Sequence, residues 1–417
     1  GARIDAAGSR DAEVAMSRNL VSVELRGNEL RDAPLQKNGL LRGKRVTFDV
    51  RKGTPLADVS GAVASIRRSL DERLAPGGSI TLDSDNHLDV APGATLDVSG
   101  GVVNYSGGVV DTTKLISGGR LFDISKADPG RVYDGVFGSA ETVHRKWNVV
   151  ESYQLFSNAR ANFEAGYVEG KDAGTLTIAA PDLRMLGNAQ GGVTLDSFQR
   201  DKPGAAAGFQ RPYDEQPLAG RLTLGRGSLA FDDSVAQNYL LDEVRLDAHA
   251  APGASTSFKD DGALLTVSPR LFKDGGFERV GIFANGRVSV PGDVSLDLGA
   301  YGEMAIGAGV VEIAGTLSAA DGRIDINVLP TLTTGNDATA LTLTPGAELN
   351  TQGRWVNDNA ARARNEGLGE GPLAINGGSV ALNASGALDL QQGSLIDVGG
   401  GAHKTSKGAL VAGKGGS

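Results

Sequence analysis

The sequence predicts an all-β fold, a right-handed parallel β-helix in which short strands form stacked rungs with three strands to a rung. Glycine supplies 60 of the 417 residues, about double its usual ~7% share. These glycines are scattered among short Val, Leu and Ile runs, which is typical of many short strands joined by tight turns. Repetition is the second observation: the segments Gly77–Gly101 and Gly377–Gly401 align without gaps and share 11 of 25 positions.

Each repeat unit contains three short strands. In the first unit they are Ile80–Leu82, Leu88–Val90 and Leu96–Val98, with polar or glycine turns between them. Apolar residues alternate with Asp, Thr or Ser, the period of two that one buried face requires. Antiparallel hairpins are the competing arrangement, but they favour Asn-Gly or Asp-Gly turns, which the unit does not use regularly. Each unit buries its apolar row only by stacking on its neighbours, so the repeats favour a parallel β-helix.

Partial copies of the unit extend the pattern along the chain. One runs from Leu343 to Gly353, and a looser one runs from Val290 to Gly299. The same alternation predicts further strands at Leu176–Ile178, Val193–Leu195, Leu222–Leu229, Leu264–Val267, Val280–Phe283, Val288–Val290, Met304–Ile306, Val310–Ile313 and Ile324–Ile326.

Four stretches interrupt the predicted strands within one continuous unit, residues 1–417. Apolar residues at helical spacing predict a short amphipathic helix over 56–74, lying on the flank of the rungs. Residues 198–218 and 352–372 are rich in Asp, Pro, Gly, Arg and Asn and are predicted to be loops. The longest interruption, residues 120–171, is an aromatic-rich insertion.

Composition excludes several classes of site. The chain has no cysteine, which removes disulfides, thiolate nucleophiles and zinc–thiolate sites. The net charge is −9 and no basic run occurs, so nucleic acid is not an expected partner. No apolar stretch reaches the 18 or more residues of a membrane span. The chain begins with Gly1 inside patterned sequence, so we expect a piece of a longer protein whose signal peptide or anchor lies elsewhere.

Longer phrases carry a resemblance to a known family. They are RDAPLQKNGLLRGKRVTFDVRKGTPLADVSG at Arg31–Gly61, LDVSGGVVNYSGGVVDTTKLISGGR at Leu96–Arg120, RVYDGVFG at Arg131–Gly138 and GYVEGKDAGTLTIAAP at Gly166–Pro181. Together they resemble the large filamentous-haemagglutinin-like exoproteins of two-partner secretion, and in particular the body and C-terminal half of very long members.

The resemblance implies a secreted rod at the bacterial cell surface. Such proteins cross the outer membrane through a dedicated secretion barrel and serve in attachment, aggregation or biofilm formation. The family's amino-terminal secretion domain carries an Asn-Pro-Asn-Gly motif, which this sequence lacks. Contact with the barrel partner is therefore expected through a region outside this chain.

A search for chemistry-bearing residues predicts neither catalysis, nor a metal site, nor a cofactor. The four histidines, His87, His144, His249 and His403, do not occur at metal-ligand spacings. Acidic residues suit polysaccharide-active enzymes when two or three converge. Here they recur from unit to unit, which indicates hydrogen bonding to turn backbone instead. The recurring pairs are Asp83 with Asn383, Asp89 with Asp389, and Asp97 with Asp397.

The insertion at 120–171 is the best sequence candidate for ligand contact. Its aromatic residues either fill a small core that packs on the rod or contact a carbohydrate or protein ligand. In the second case Tyr133, Trp147 and Tyr153 are the predicted ligand-binding residues, because polar neighbours surround them. Trp355, in the loop 352–372, is a weaker candidate. The aromatic residues of the insertion are Phe122, Tyr133, Phe137, Trp147, Tyr153, Phe156, Phe163 and Tyr167.

Three functions follow as hypotheses. The first is a structural shaft segment of an adhesin or matrix exoprotein. The second is a glycan- or protein-binding module that acts through residues 120–171. The third is a polysaccharide-active enzyme on a β-helix.

Overall fold

The computed structural model shows an all-β protein, in which strands far outnumber helices. It describes residues 1–144, 149–154, 161–195, 216–227, 237–259, 262–334, 339–359, 373–405 and 407–417. Only the backbone is described at 139–144, 149–154 and 259. The predicted all-β class is therefore confirmed.

The first strand of each repeat unit belongs to one parallel stack, here called stack A. Its register places Ile80 beside Leu176 and Leu176 beside Leu222. Further along, Val280 pairs with Met304 and Met304 with Ile324. A slip of one residue would turn every such side chain to the other face, so this aliphatic column fixes the register. Stack A contains Ser79–Asp83, Thr175–Ala179, Gly220–Leu224, the first part of Phe277–Val290, the first part of Glu303–Ile313, Arg323–Val328 and Ser379–Ala384.

The second strands form stack B, which is parallel except at one place. Ala254–Lys259 is inserted antiparallel between Asp182–Met185 and Gly262–Val267. Two long strands belong to both stacks, namely Phe277–Val290 and Glu303–Ile313. The pairing between these two strands shifts register between Ala284 and Arg287. In order, stack B contains His87–Val90, Asp182–Met185, Ala254–Lys259, Gly262–Val267, Glu243–Leu246, the second parts of Phe277–Val290 and Glu303–Ile313, Ala340–Leu343 and Ala387–Leu390.

The third strands form stack C in two pieces. In the second piece Leu296 pairs with Leu317, and Leu317 with Leu349. Near the first piece, the short helix Arg270–Gly275 contributes fully buried Phe272 to the core shared by the stacks. The first piece contains Arg3–Asp5, Thr95–Asp97 and Asn188–Gln190, and the second contains Ser295–Ala300, Thr316–Ala320, Glu348–Asn350 and Leu395–Asp397.

Glycine is required where the chain enters stack A. A Cβ on Gly322 would lie 2.2 Å from the carbonyl oxygen of Gly302, and one on Gly378 would lie 2.1 Å from that of Gly322. No side chain fits at such distances, so successive strands approach one another through glycine backbone at this point. This close approach accounts for part of the high glycine content.

The links from stack C to stack A carry all four predicted interruptions. Two of these links are short and turn through a residue with positive φ, Tyr301 (60°) and Asp321 (54°). Four are long, spanning 6–78, 98–174, 191–219 and 351–378. The predicted interruptions 56–74, 120–171, 198–218 and 352–372 each fall within one of these long links, although most of the latter two lies outside the described residues.

The first two long links pack together as a side unit with its own core. Fully buried Phe48 and Leu56 of the first link share a hydrophobic cluster with Leu115 and Ile124 of the second. The parallel pairing of Ala12–Ala15 with Val102–Ser106 also joins the two links. Their other strands are Leu20–Glu24 with Arg45–Asp49, Gly108–Val110 with Asn162–Glu164, Val102–Ser106 with Tyr167–Gly170, Lys114–Ser117 with Arg120–Asp123 and Gly135–Val136, and Ser139–His144 with Val149–Gln154.

The remaining elements are short. A late group of strands consists of Trp355–Asn357, Ala402–Lys404 and Leu410–Ala412. The helices with both ends among the described residues are Pro34–Lys37, Ser60–Ala64, Leu70–Leu74 and Arg270–Gly275, and Met16–Asn19 and Ile124–Lys126 are 3₁₀ turns.

The region predicted as one helix over 56–74 differs in the structure. It contains two short helices, because Ser69 and Glu72 form a capping box that starts a new helix at Leu70. The apolar residues Val63, Leu70 and Leu74 are exposed rather than packed. No helix in the described parts of the chain is long and apolar enough to cross a membrane.

Candidate functional site

Tyr133, the first predicted ligand-binding residue, lies inside the side unit. The residue is only 2% exposed, and its ring packs edge-on against Phe122, with ring centroids 6.3 Å apart. Its hydroxyl donates to the Asp128 carbonyl oxygen at 3.1 Å, and burial raises its pKa. This position matches the packing interpretation of the insertion, in which aromatic residues fill a small core.

The side chains of the other two predicted residues lie outside the part of the chain that the structure describes. Trp147 lies outside the described residues. Tyr153 is paired with Ala140 in an antiparallel hairpin, but only its backbone is described. A ligand-binding role for these two side chains remains a prediction.

The recurring acidic residues at the end of stack C bind their own turns. Asp97 Oδ1 accepts a hydrogen bond from the Ser99 N–H at 3.0 Å, and Asp397 Oδ1 accepts one from the Gly399 N–H at 2.8 Å. The predicted structural role is confirmed for these two. The same bond to the backbone two residues on is made by Asp5, Asp297 and Asn350.

The other recurring acids make ion pairs between units. Asp83 Oδ1 lies 2.6 Å from Arg226 Nη2, and Asp89 Oδ2 lies 3.7 Å from Arg184 Nη1. Both pairs are at the surface, where a single ion pair contributes little to stability.

Three of the four histidines each lie beside one carboxylate. The nitrogen–oxygen distances are 2.7 Å for His87 and Asp182, 3.3 Å for His249 and Asp293, and 2.8 Å for His403 and Asp358. The side chain of His144 is not described. Across the described residues, no three His, Asp or Glu side chains gather in a way that could hold a metal ion.

A cleft opens where the third and fourth long links leave the stacks. Its volume is about 320 Å³, and its walls come from four places along the chain, one of which is Arg354 of the fourth long link. The third link supplies Val193 and Pro217, the entry to stack A supplies Glu278, and the short link supplies Tyr301. Sites for small ligands commonly begin at about 300 Å³, so this cleft is large enough to hold one.

A second, more open cleft of about 400 Å³ adjoins the first, and Arg354 lines both. Asp297, Ser318 and Asn350 line it from successive strands of stack C, where they are register neighbours. Trp355 also lines it, and this residue is 74% exposed. The two clefts together are here called the link groove.

Charges in the link groove are mixed. Although solvent reaches Glu278, partial desolvation by the surrounding walls raises its pKa; Asp297 adds to this effect and Arg354 opposes it. Arg279 is held by a hydrogen bond from its Nε to the Ala219 carbonyl oxygen at 2.8 Å, and burial lowers its pKa. The groove therefore combines acids, arginines, amides and one exposed indole.

Sequence reasoning identified Trp355 only as a weaker candidate and did not identify the groove. The register that brings Asp297 beside Ser318 and Asn350 is visible in the repeats, but the walls come from links far apart in sequence. A polar row at equivalent positions, followed by a tryptophan at the start of a long link, is the signal that could have pointed here.

Comparisons with known proteins found no matching family model, curated protein or solved structure.

Proposed function

We propose that the three stacks are the faces of a right-handed parallel β-helix and that the chain is a rod-like shaft segment. The observation that carries this proposal is the register of stack A. Equivalent aliphatic residues, such as Leu176, Val280 and Ile324, follow one another across strands far apart in sequence. A structure built this way grows by adding units without changing its cross-section.

In this proposal the shaft belongs to a secreted bacterial surface adhesin or matrix exoprotein. The phrases at Arg31–Gly61 and Leu96–Arg120 support it, through their resemblance to filamentous-haemagglutinin-like exoproteins. The chain would reach the cell surface through an outer-membrane secretion barrel that binds a region outside it. Its contribution to attachment, aggregation or biofilm is reach and stiffness.

We propose no catalytic role for the chain. Asp97 and Asp397, acids that recur from unit to unit, bind backbone N–H groups of their own turns. Acids used in this way stabilise the turns between strands and are not gathered around a substrate.

Deletion of one unit tests the β-helix. Removing residues 303–322 takes out one strand from each stack and joins Gly302 to Arg323. Because Arg323 is the register neighbour of Glu303, it can take the place of Glu303 in stack A. We expect a folded protein with one sharp unfolding transition. Removing residues 303–312 leaves the stacks out of phase and should abolish that transition. Equal behaviour of the two deletions would contradict the proposal.

Mechanical unfolding tests the shaft role. When the chain is pulled from its two ends, a stack of units should resist and then release in steps. The unit 303–322 gives about 70 Å of extended chain, so a step near this length is expected for it, and longer steps are expected for units that carry a long link. Smooth extension without force peaks would argue against a load-bearing shaft.

A further inference from the structure

The link groove has a chemistry that the shaft role does not use. Trp355 is the described tryptophan of the chain's two, and about three quarters of the residue is exposed. Removing an indole from water is favourable, so an indole that stays exposed on a well-fixed segment marks a surface that a ligand could cover. Its strand is fixed, because Trp355 pairs with Ala402 and the Arg354 N–H donates to the Ala374 carbonyl oxygen at 2.7 Å.

The floor beside this indole is polar and regular. Asp297, Ser318 and Asn350 follow one another on neighbouring strands, which lie about 4.8 Å apart. They present a carboxylate, a hydroxyl and an amide in a row along the stacking direction. Among the described residues, the Oδ2 oxygen of Asp297 has no hydrogen-bond partner, while its Oδ1 oxygen accepts from the Gly299 N–H at 2.9 Å.

We propose that the link groove binds a saccharide chain, with one sugar ring on the face of Trp355 and its hydroxyls on Asp297, Ser318 and Asn350. A pyranose has an apolar ring face and a rim of hydroxyl groups, and the groove offers one partner for each. Its two adjoining clefts, of about 320 and 400 Å³, fall in the size range of ligand sites.

The groove fits other ligand classes less well. A phosphate- or sulfate-rich polymer requires clustered positive charge, whereas Glu278 and Asp297 offset the arginines here. An amphipathic helix requires several apolar anchors in a row. Trp355 stands beside a polar floor, and the exposed leucines of the groove, Leu195 and Leu218, line the other cleft. This assignment rests on the groove alone and does not depend on the shaft role.

The two tryptophans make the test specific. A Trp147→Phe variant of the full chain leaves Trp355 as its single tryptophan, so its emission reports on the groove. The probes are hexasaccharides of glucose, of N-acetylglucosamine and of galacturonic acid, each titrated separately. We expect a saturable change in Trp355 emission with a neutral hexasaccharide.

Calorimetry on further variants separates this site from the aromatic insertion. Trp355→Ala and Asn350→Ala should each weaken binding of the responding hexasaccharide by roughly tenfold, which corresponds to about 1.4 kcal/mol. Trp147→Phe should bind like the unaltered chain. An unchanged unfolding temperature in Trp355→Ala would show that the fold is intact.

Two results would overturn the proposal. One is no response of Trp355 to any of the three hexasaccharides. The other is undiminished binding by Trp355→Ala, and if Trp147→Phe were then the variant that lost binding, the site would lie in the insertion.

Discussion

Arg51 and Glu164 form a buried ion pair between two long links, with Arg51 Nη2 2.6 Å from Glu164 Oε2. Their side chains are 8% and 9% exposed. Arg51 Nη2 also lies 2.6 Å from Asp49 Oδ2, and its guanidinium carbon lies 5.4 Å from the centre of the Tyr167 ring. One arginine therefore joins the first link to the second within the side unit.

The pKa shifts agree with this geometry. Burial by itself would lower the pKa of Arg51, but Asp49 and Glu164 raise it above its ordinary value. Burial would raise the pKa of Glu164, and hydrogen bonds from Arg51 and Lys52 lower it instead. The arginine and the glutamate are therefore both charged in the folded protein at neutral pH.

Replacing Arg51 is expected to destabilise the side unit strongly. Arg51→Met leaves Asp49 and Glu164 buried without their main partner, and breaking a buried pair in this way costs about 3–5 kcal/mol. Urea unfolding at neutral pH measures the change. Arg287→Met is the matched control, because Arg287 pairs with Glu312 at the surface, where the expected loss is about 0–1 kcal/mol. Equal losses in the two variants would contradict a special role for Arg51.

Acidification is expected to weaken the side unit. The pKa values of Glu164 and Asp123 lie below their ordinary values of 4.5 and 3.8, because Arg51 and Lys114, respectively, oppose the effect of burial. A carboxyl whose pKa is lower in the folded state stabilises the fold above its unfolded pKa and loses this effect as pH falls. Stability should therefore decline from about pH 4.5 downward.

Urea midpoints at pH 7, 5 and 3.5 measure this decline. Glu164→Gln removes one of the responsible groups, so it should be less stable at pH 7 and show a smaller further loss at pH 3.5. A decline as large as that of the unaltered chain would exclude Glu164 as a contributor.

The strands were predictable where alternation alone determines them. Leu176–Ile178, Met304–Ile306 and Ile324–Ile326 all lie inside observed strands, since each alternating run buries its apolar row against neighbouring units. Val193–Leu195 is not a strand, although its residues also alternate between apolar and polar. It lies in a link and lines the groove, and a short apolar run by itself does not distinguish these outcomes.

The side unit and the groove were not predictable from local pattern. Phe48 and Leu56 pack against Leu115 and Ile124, residues that no short-range periodicity connects to them. The groove likewise needs the third and fourth links to leave the stacks on the same side. Both features depend on contacts between distant segments, which a single sequence does not specify.

Replacing the glycine at the entry to stack A is expected to destabilise the fold. Gly322→Ala places a Cβ 2.2 Å from the Gly302 carbonyl oxygen, so backbone must move at a cost of about 3 kcal/mol. Gly61→Ala is the control, because a Cβ there meets nothing within 4 Å and Gly61 is helical, where alanine is favoured by up to about 1 kcal/mol. Differential scanning calorimetry should show a lower unfolding temperature for Gly322→Ala only. Similar temperatures for both would mean that the strands do not approach as closely as the structure shows.

The cost of truncating a leucine in stack B is expected to depend on whether another strand covers it. Leu341 and Leu388 are register neighbours, but Leu341 is fully buried and Leu388 is 48% exposed. Leu341 lies between strands on both sides, whereas Leu388 lies on the last strand of the stack. Leu341→Ala should therefore cost about 2–5 kcal/mol, and Leu388→Ala about 1 kcal/mol or less.

Chemical denaturation of the two variants measures the difference in their free energies of unfolding. Because both residues are leucines at equivalent positions of neighbouring strands, this difference reports on whether a further strand covers them. If Leu388→Ala proved as costly as Leu341→Ala, something would have to cover the last strand in solution. Light scattering would then show whether a second copy of the chain does so, as an unpaired strand edge invites.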